Sequence, residues 1–314
     1  LHLVSQIHIG GVDLVVHLLL DNVNLMLSTA DLIEDGVILQ QSAELAEQLG
    51  VRLVPMHVSM GSETLDDGAF PPEDVCAYYD RTGKCPTTSG STPYDFEKVF
   101  TDLRENYPGR KMLHLAYSAV TTCSYHSCEL ALEDKPYAGN VRLVDTKHVS
   151  VGQGAVVMAT AKWLREHPDA TLEEAAQKAA QIGLQTRMCF IPKNLDYLRA
   201  GGRCSNAVAL VGNLLNLHPC IEILDGKLMA KKKYRGNLDK VIPKLIAEYS
   251  EAQQLKKDHI IFIRTPRLPV ELEKLAENTA KELGFQNIGW MDTGCVITCH
   301  SGPSAFGIVG FSAQ

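Results

Sequence analysis

Lys111-Met112-Leu113-His114-Leu115-Ala116-Tyr117, followed by Ser118-Ala119-Val120-Thr121-Thr122-Cys123-Ser124, is the stretch that decides the fold. The apolar run 111–117 reads as a buried strand, the hydroxyl-rich run behind it as a turn, and 125–132 as a helix. The same unit recurs upstream and downstream. A short apolar stretch at 24–27 leads into Ser28-Thr29-Ala30-Asp31, and a helical pattern at 38–49 ends at Gly50. A strand is expected at 51–58, a polar turn at 66–70 and a helix at 72–81. The loop Pro86-Thr87-Thr88-Ser89-Gly90-Ser91-Thr92-Pro93 precedes a helix at 94–105. A strand at 141–145 runs into His148-Val149-Ser150-Val151-Gly152-Gln153-Gly154 and a long apolar helix to 165.

Repeated strand, turn and helix predict a mostly parallel sheet covered by helices on both faces. Ligands of such folds bind beyond the carboxyl ends of the strands. Ser28, Thr29, Thr88, Ser89, Ser118, Thr122 and Ser150 all fall in the turns that should collect there. Taken singly, each reads more readily as a helix N-cap. Their recurrence in successive turns points to a shared anion site, helped by helix N-termini.

Beyond a helix at 172–184 the pattern changes. Strands are expected at 187–191, 219–224, 227–233, 260–264 and 287–292, with Asp225-Gly226 marking a hairpin. Helices are expected at 195–199, 205–215, 238–252 and 270–283. The last stretch carries His300-Ser301-Gly302-Pro303 between apolar runs at 296–299 and 306–311. The fold class is therefore α/β with two α/β domains, the second built on a mixed sheet. The expected division is 23–184 and 185–314, with 1–22 an N-terminal extension of unknown role. Within it, 14–20 is apolar, broken by His17, and too short to span a bilayer; an extra strand is one reading of it. No basic segment precedes it and no small-residue cleavage site follows, so a signal peptide is not expected.

Bulk properties narrow the function. The 314 residues are 45% hydrophobic and carry a formal net charge of −7, against a duplex-binding surface. Nine cysteines without a Cys-x-x-Cys pair fit a reducing, cytoplasmic setting. Cys295, Cys299 and His300 lie close in sequence, yet without a second cluster they read as packed thiols and a separate histidine, so no metal is expected. No phosphate-binding Gly-Lys-Ser/Thr loop, dinucleotide fingerprint or Gly-x-Ser-x-Gly elbow occurs. Among the cations, Arg203 after Gly201-Gly202 and Arg235 before Gly236 stand in turns that suit carboxylate or phosphate recognition, or partner docking.

Together these segments resemble the DegV family, the fatty-acid-binding subunits of bacterial fatty acid kinase. The resemblance runs in order through Ser28-Thr29-Ala30-Asp31, Pro86-Thr87-Thr88-Ser89 with Asp95-Phe96, Asp145-Thr146-Lys147 with Ser150 and Gly152, Leu195 to Arg203, Tyr234-Arg235-Gly236 and Thr298 to Pro303. It implies a long-chain fatty acid between the domains and no cofactor. The carboxylate would be held by Thr88, Ser89, Ser118, Thr122 and His300, supported by Ser28, Thr29, Ser150 and Gly302. The family's usual second serine falls on Ala119, so Ser118, Thr121, Thr122 or a water takes its place; the usual glycine of that turn is Cys123. The resemblance further implies an ATP-binding kinase subunit as partner, docked through Arg203 and Arg235. An acyltransferase and a transient membrane contact are further implied partners. Two other readings fit the residues: a Ser/Thr–His esterase or thioesterase, and a ligand-sensing interaction module.

Overall fold

The computed structural model describes residues 12–16, 51–193, 195–203 and 216–313. Strand β1 (Val12–Val16) lies between β2 (Val51–Leu53) and β6 (Lys111–Ala116), with β7 (Val141–Asp145) outside β6, all parallel. The segment set aside as an extension thus supplies an interior strand. The strand expected at 24–27, the helix at 38–49, Ser28, Thr29 and the helix at 205–215 lie outside the described residues.

Strand β6 is buried from Met112 to Ala116, as a strand covered on both faces must be. Met112 packs with Phe96, Phe100 and Cys128, from helices α2 (Pro93–Asn106) and α3 (Ser124–Leu132), on one face. Leu113 and Leu115 face the opposite side, toward α4 (Ser150–Glu166) and α5 (Leu172–Gln185). The long apolar helix foreseen from the sequence begins at Ser150, inside the expected turn. It is buried without a break from Ser150 to Val157, because it sits between two sheets. Gly152 makes the approach possible: a Cβ there would come within 2.9 Å of Met188 Sδ.

The second sheet has the order β10-β9-β8-β13-β11-β12. It comprises β8 (Thr186–Ile191), β9 (Leu217–Leu224), β10 (Lys227–Arg235), β11 (His259–Arg264), β12 (Asn287–Asp292) and β13 (Phe306–Phe311). Only β11 and β12 run parallel, so the sheet is mixed as expected. Ile260 and Phe262 turn toward α7 (Leu238–Ala252) and α8 (Val270–Glu282), while Ile261 and Ile263 join the core that contains Leu113 and Leu115. Sheet membership changes at the Gln185–Thr186 junction, but this central core runs through both halves.

The expected strand at 51–58 is broken. Pro55 has no N–H for a ladder, and its carbonyl accepts the Ser91 hydroxyl instead. Beyond it, β3 (His57–Met60) leaves the parallel sheet and pairs antiparallel with β4 (Glu63–Asp66) and β5 (Thr87–Ser89). The hydroxyl-rich loop is thus partly a strand. His57 Nδ1 reaches Asp66 at 2.9 Å and Nε2 reaches Asp95 at 3.0 Å. Asp95 also closes a capping box with Thr92 at the start of α2. Burial raises the Asp95 carboxyl pKa, but hydrogen bonds from Thr92 and His57 outweigh it and hold the pKa below its ordinary value.

Candidate functional site

Two turns of the first half meet at Gly90. A Cβ on Gly90 would fall 2.6 Å from Ser124 Oγ and 2.8 Å from Thr122 Oγ1, so only glycine lets the β5 loop touch the turn after β6. The Ser91 N–H donates to Ser124 Oγ at 3.0 Å across this contact. Thr88, Ser89, Thr121 and Thr122 thereby face one space.

The second half closes that space with α9 (Cys295–Ser301). Its start is capped from the other half: Asp67, just after β4, accepts from the N–H groups of Cys295 at 3.0 Å and Val296 at 3.3 Å. Its last turn carries His300, whose Nε2 lies 2.9 Å from Thr88 Oγ1. Gly201, at the end of α6 (Asp196–Gly201), leaves room for the imidazole: a Cβ would stand 2.1 Å from His300 Nδ1. Gly302, with φ of 70°, passes Tyr197 so closely that a Cβ would lie 2.6 Å from its ring.

Among the described residues, His300 Nδ1 is buried without a hydrogen-bond partner. Burial, and then the Arg203 charge, lower the His300 pKa to about 4, so the ring is neutral near pH 7. With the proton on Nε2 the unpaired atom is a lone pair rather than an N–H, and Nε2 donates to Thr88. The Thr88 hydrogen is then free to donate to an anion. Arg203 donates to the Gly201 carbonyl at 2.9 Å and is exposed.

These groups sit on the wall of a cavity that encloses about 840 Å³ when the open space at its mouth is included. Thr88, Ser89, Thr122, Ser150, Arg203 and His300 all line it. The rest is mainly apolar, with Met56, Met188, Phe190, Leu228, Ile263 and Phe306 among the lining. Ser150 holds a left-handed φ of 49° at the start of α4. Tyr117, Thr265 and Thr293 also line the cavity and were missed. Each is the residue immediately after a parallel strand (β6, β11 and β12), and that position was the available signal. Thr265 and Thr293 are already engaged, with the Ala305 N–H at 2.7 Å and the Thr298 hydroxyl at 3.2 Å.

Two residues expected at the carboxylate, Ser118 and Gly302, are not brought to the wall, and Arg235, expected to dock a partner, lies apart from it. Ser118 is fully buried and donates to the Gly226 carbonyl at 2.8 Å, so its hydroxyl is committed to the β9–β10 turn. Gly302 caps α9 behind Ser301. Arg235 is exposed at the end of β10, outside the lining. Cys295 and Cys299 are buried, and among the described residues no group of His, Cys, Asp or Glu is placed to hold a metal ion. No helix among the described residues is long and apolar enough to cross a membrane.

A family model described as "Uncharacterised protein, DegV family" matches residues 37–313. The chain belongs to the DegV family. A DegV domain-containing protein of Deinococcus radiodurans is 28% identical over 267 residues, 83% of this chain and 90% of that protein. Among solved structures, a fatty-acid-binding DegV family protein from Thermus thermophilus is 26% identical, with a TM-score of 0.77 over 96% of this chain and 99% of that one. The Fatty Acid Kinase B3 protein of Streptococcus pneumoniae, loaded with linoleic acid, has a TM-score of 0.73 at 15% identity over 96% of this chain and 99% of that one. At that identity the likeness is one of fold.

A second buried histidine gives the fold a pH signature. His148 Nε2 donates to the Gly183 carbonyl at 2.9 Å, and burial lowers the ring's pKa to about 4. A histidine whose pKa is depressed in the folded state binds its proton more readily when unfolded. Its stabilising effect is complete above about pH 6.5 and is lost as pH falls toward 4. The His148→Gln variant should therefore lose less stability than the parent between pH 6.5 and 4, by on the order of 3 kcal/mol in urea melts. Parallel pH dependences would contradict the buried neutral ring.

Proposed function

We propose that this DegV family protein binds a long-chain fatty acid and presents its carboxylate to a separate ATP-binding fatty acid kinase subunit. One observation carries the reading. A single cavity has Thr88, His300 and Arg203 among its polar groups and is otherwise mainly apolar, with Thr88 and His300 meeting from opposite halves of the chain. A carboxylate taken out of water needs several donors. The Thr88 hydroxyl supplies one, and the Thr122 and Ser89 hydroxyls are at hand. The tail needs only apolar surface. About 15 methylenes at roughly 0.8 kcal/mol each give on the order of 12 kcal/mol before the cost of lost freedom.

The fatty-acid-binding relative from Thermus thermophilus and the linoleic-acid-loaded kinase protein from Streptococcus pneumoniae support the ligand class and the partner. The sequence has no phosphate-binding loop, which fits a partner that brings ATP. In the reaction a carboxylate oxygen attacks the γ-phosphorus, the bond to the ADP oxygen breaks, and an acyl phosphate remains in the cavity. This protein then carries it to an acyltransferase.

Native mass spectrometry of the purified protein, followed by lipid extraction, tests the ligand. Recovery of a fatty acid in near-stoichiometric amount is expected; a protein that neither carries nor takes up any fatty acid defeats the reading. Thr88→Val keeps the volume of the side chain and removes its donor. It should weaken fatty-acid affinity by about tenfold or more, the worth of a hydrogen bond to a charged group. Unchanged affinity in titration calorimetry would remove Thr88 from the carboxylate site.

A further inference from the structure

The β9–β10 hairpin is held unevenly. Its base is well anchored: Tyr234 and Lys232 both bond Glu248 on α7, at 2.9 and 2.6 Å, and His218 bonds the Pro192 carbonyl at 3.0 Å. Toward the tip, β9 pairs with β8 only at Cys189↔Glu222 and Phe190↔Ile221. Among the described residues, the two strands pair beyond Glu222 with each other alone, and β10 is the edge of the sheet.

The tip is instead latched to the opposite half. Ser118 Oγ donates to the Gly226 carbonyl at 2.8 Å, and Lys147 Nζ meets Asp225 at 2.5 Å. The fit is close: a Cβ on Gly226 would lie 2.4 Å from Ser118 Oγ. Lys147 and Asp225 both hold left-handed backbones, with φ of 56° and 46°. For Asp225 this is the ordinary geometry of an Asp-Gly hairpin turn; for Lys147 it is a conformation that the surroundings must hold. Two residues past Gly226, Leu228 lines the cavity, with Ile223 opposite it in register.

We propose that the hairpin tip, 223–229, is the gate through which the apolar tail enters and leaves the cavity, and that the Ser118–Gly226 and Lys147–Asp225 contacts keep it shut. Lifting the tip removes Leu228 from the wall and leaves the base and the carboxylate groups in place. The inference rests on the fatty-acid-binding reading above.

The test uses the full chain, stripped of lipid, and cis-parinaric acid as a fluorescent fatty acid. Stopped-flow mixing gives entry, and capture by albumin gives exit. Ser118→Ala should raise both rates about tenfold and leave Kd within about twofold. Asp225→Asn and Lys147→Met should each raise both about threefold, an effect that vanishes in about 1 M salt. Unmoved rates, or slower entry with a weaker Kd, overturn the gate; the second result would return Ser118 to the carboxylate site. Should the parent protein take up no parinaric acid, it is the functional reading that fails, and amide exchange decides the latch. Faster exchange at 223–229 in Ser118→Ala, with 234–252 still protected, supports it; equal exchange overturns it.

Discussion

Arg203→Ala is expected to lower phosphoryl transfer to the bound fatty acid by about 100-fold while changing fatty-acid affinity by less than about threefold. The carboxylate and the γ-phosphoryl group are both anionic, and their approach is opposed until a fixed cation stands beside them. Arg203 is the cation on the cavity wall, at an exposed position that a partner can reach, and its guanidinium is tied back to the Gly201 carbonyl. It is a planar fork suited to two oxygens at once, so Arg203→Lys should recover only part of the loss. Transfer is read with the purified kinase subunit and radiolabelled ATP, affinity by calorimetry. The variant carries an independent reporter. Burial is the main cause of the low His300 pKa, and the Arg203 charge adds to it, so the pKa should rise in the variant by NMR titration. Affinity falling as far as transfer would make Arg203 a carboxylate ligand and not a phosphoryl-transfer group.

Gly201→Ala should be nearly as damaging, for a steric reason. The new methyl would occupy space 2.1 Å from His300 Nδ1, a distance no Cβ tolerates, so the imidazole must leave Thr88. Overpacking of this kind costs about 1–3 kcal/mol of stability. With both His300 and the Thr88 orientation lost, affinity should fall about 30-fold or more. The double variant Gly201→Ala/His300→Ala separates the two effects, since it relieves the clash and should recover melting temperature without recovering affinity. Normal binding by Gly201→Ala would mean that the His300–Thr88 contact is dispensable.

Much of this was legible in the chain because parallel α/β units write themselves plainly. Strand β6 is apolar on both faces, its turn is rich in hydroxyls, and the helix that follows starts at Ser124. The small antiparallel sheet was not legible. Its strands are short, and Glu63–Asp66 is largely exposed and polar, so neither length nor alternation marks it. Strand β1 was legible only as one open reading, because the apolar run around it was read from Leu14 onward and is interrupted at His17. Ser118 and Thr122 look alike in sequence, being hydroxyls in one turn. The distinction between them arises from a distant hairpin: the Gly226 carbonyl claims Ser118, while Thr122 faces the cavity. A long-range acceptor leaves no mark in local residue types.

Helix α4 has a bearing on how anything gets in or out. It packs against strands of both sheets, and its first two turns are buried throughout. A hinge that swung the halves apart as rigid bodies would strip that surface bare, at about 25 cal/mol for every Å² of apolar area wetted. For a ligand that enters or leaves, yielding at the rim is the cheaper route than parting the middle.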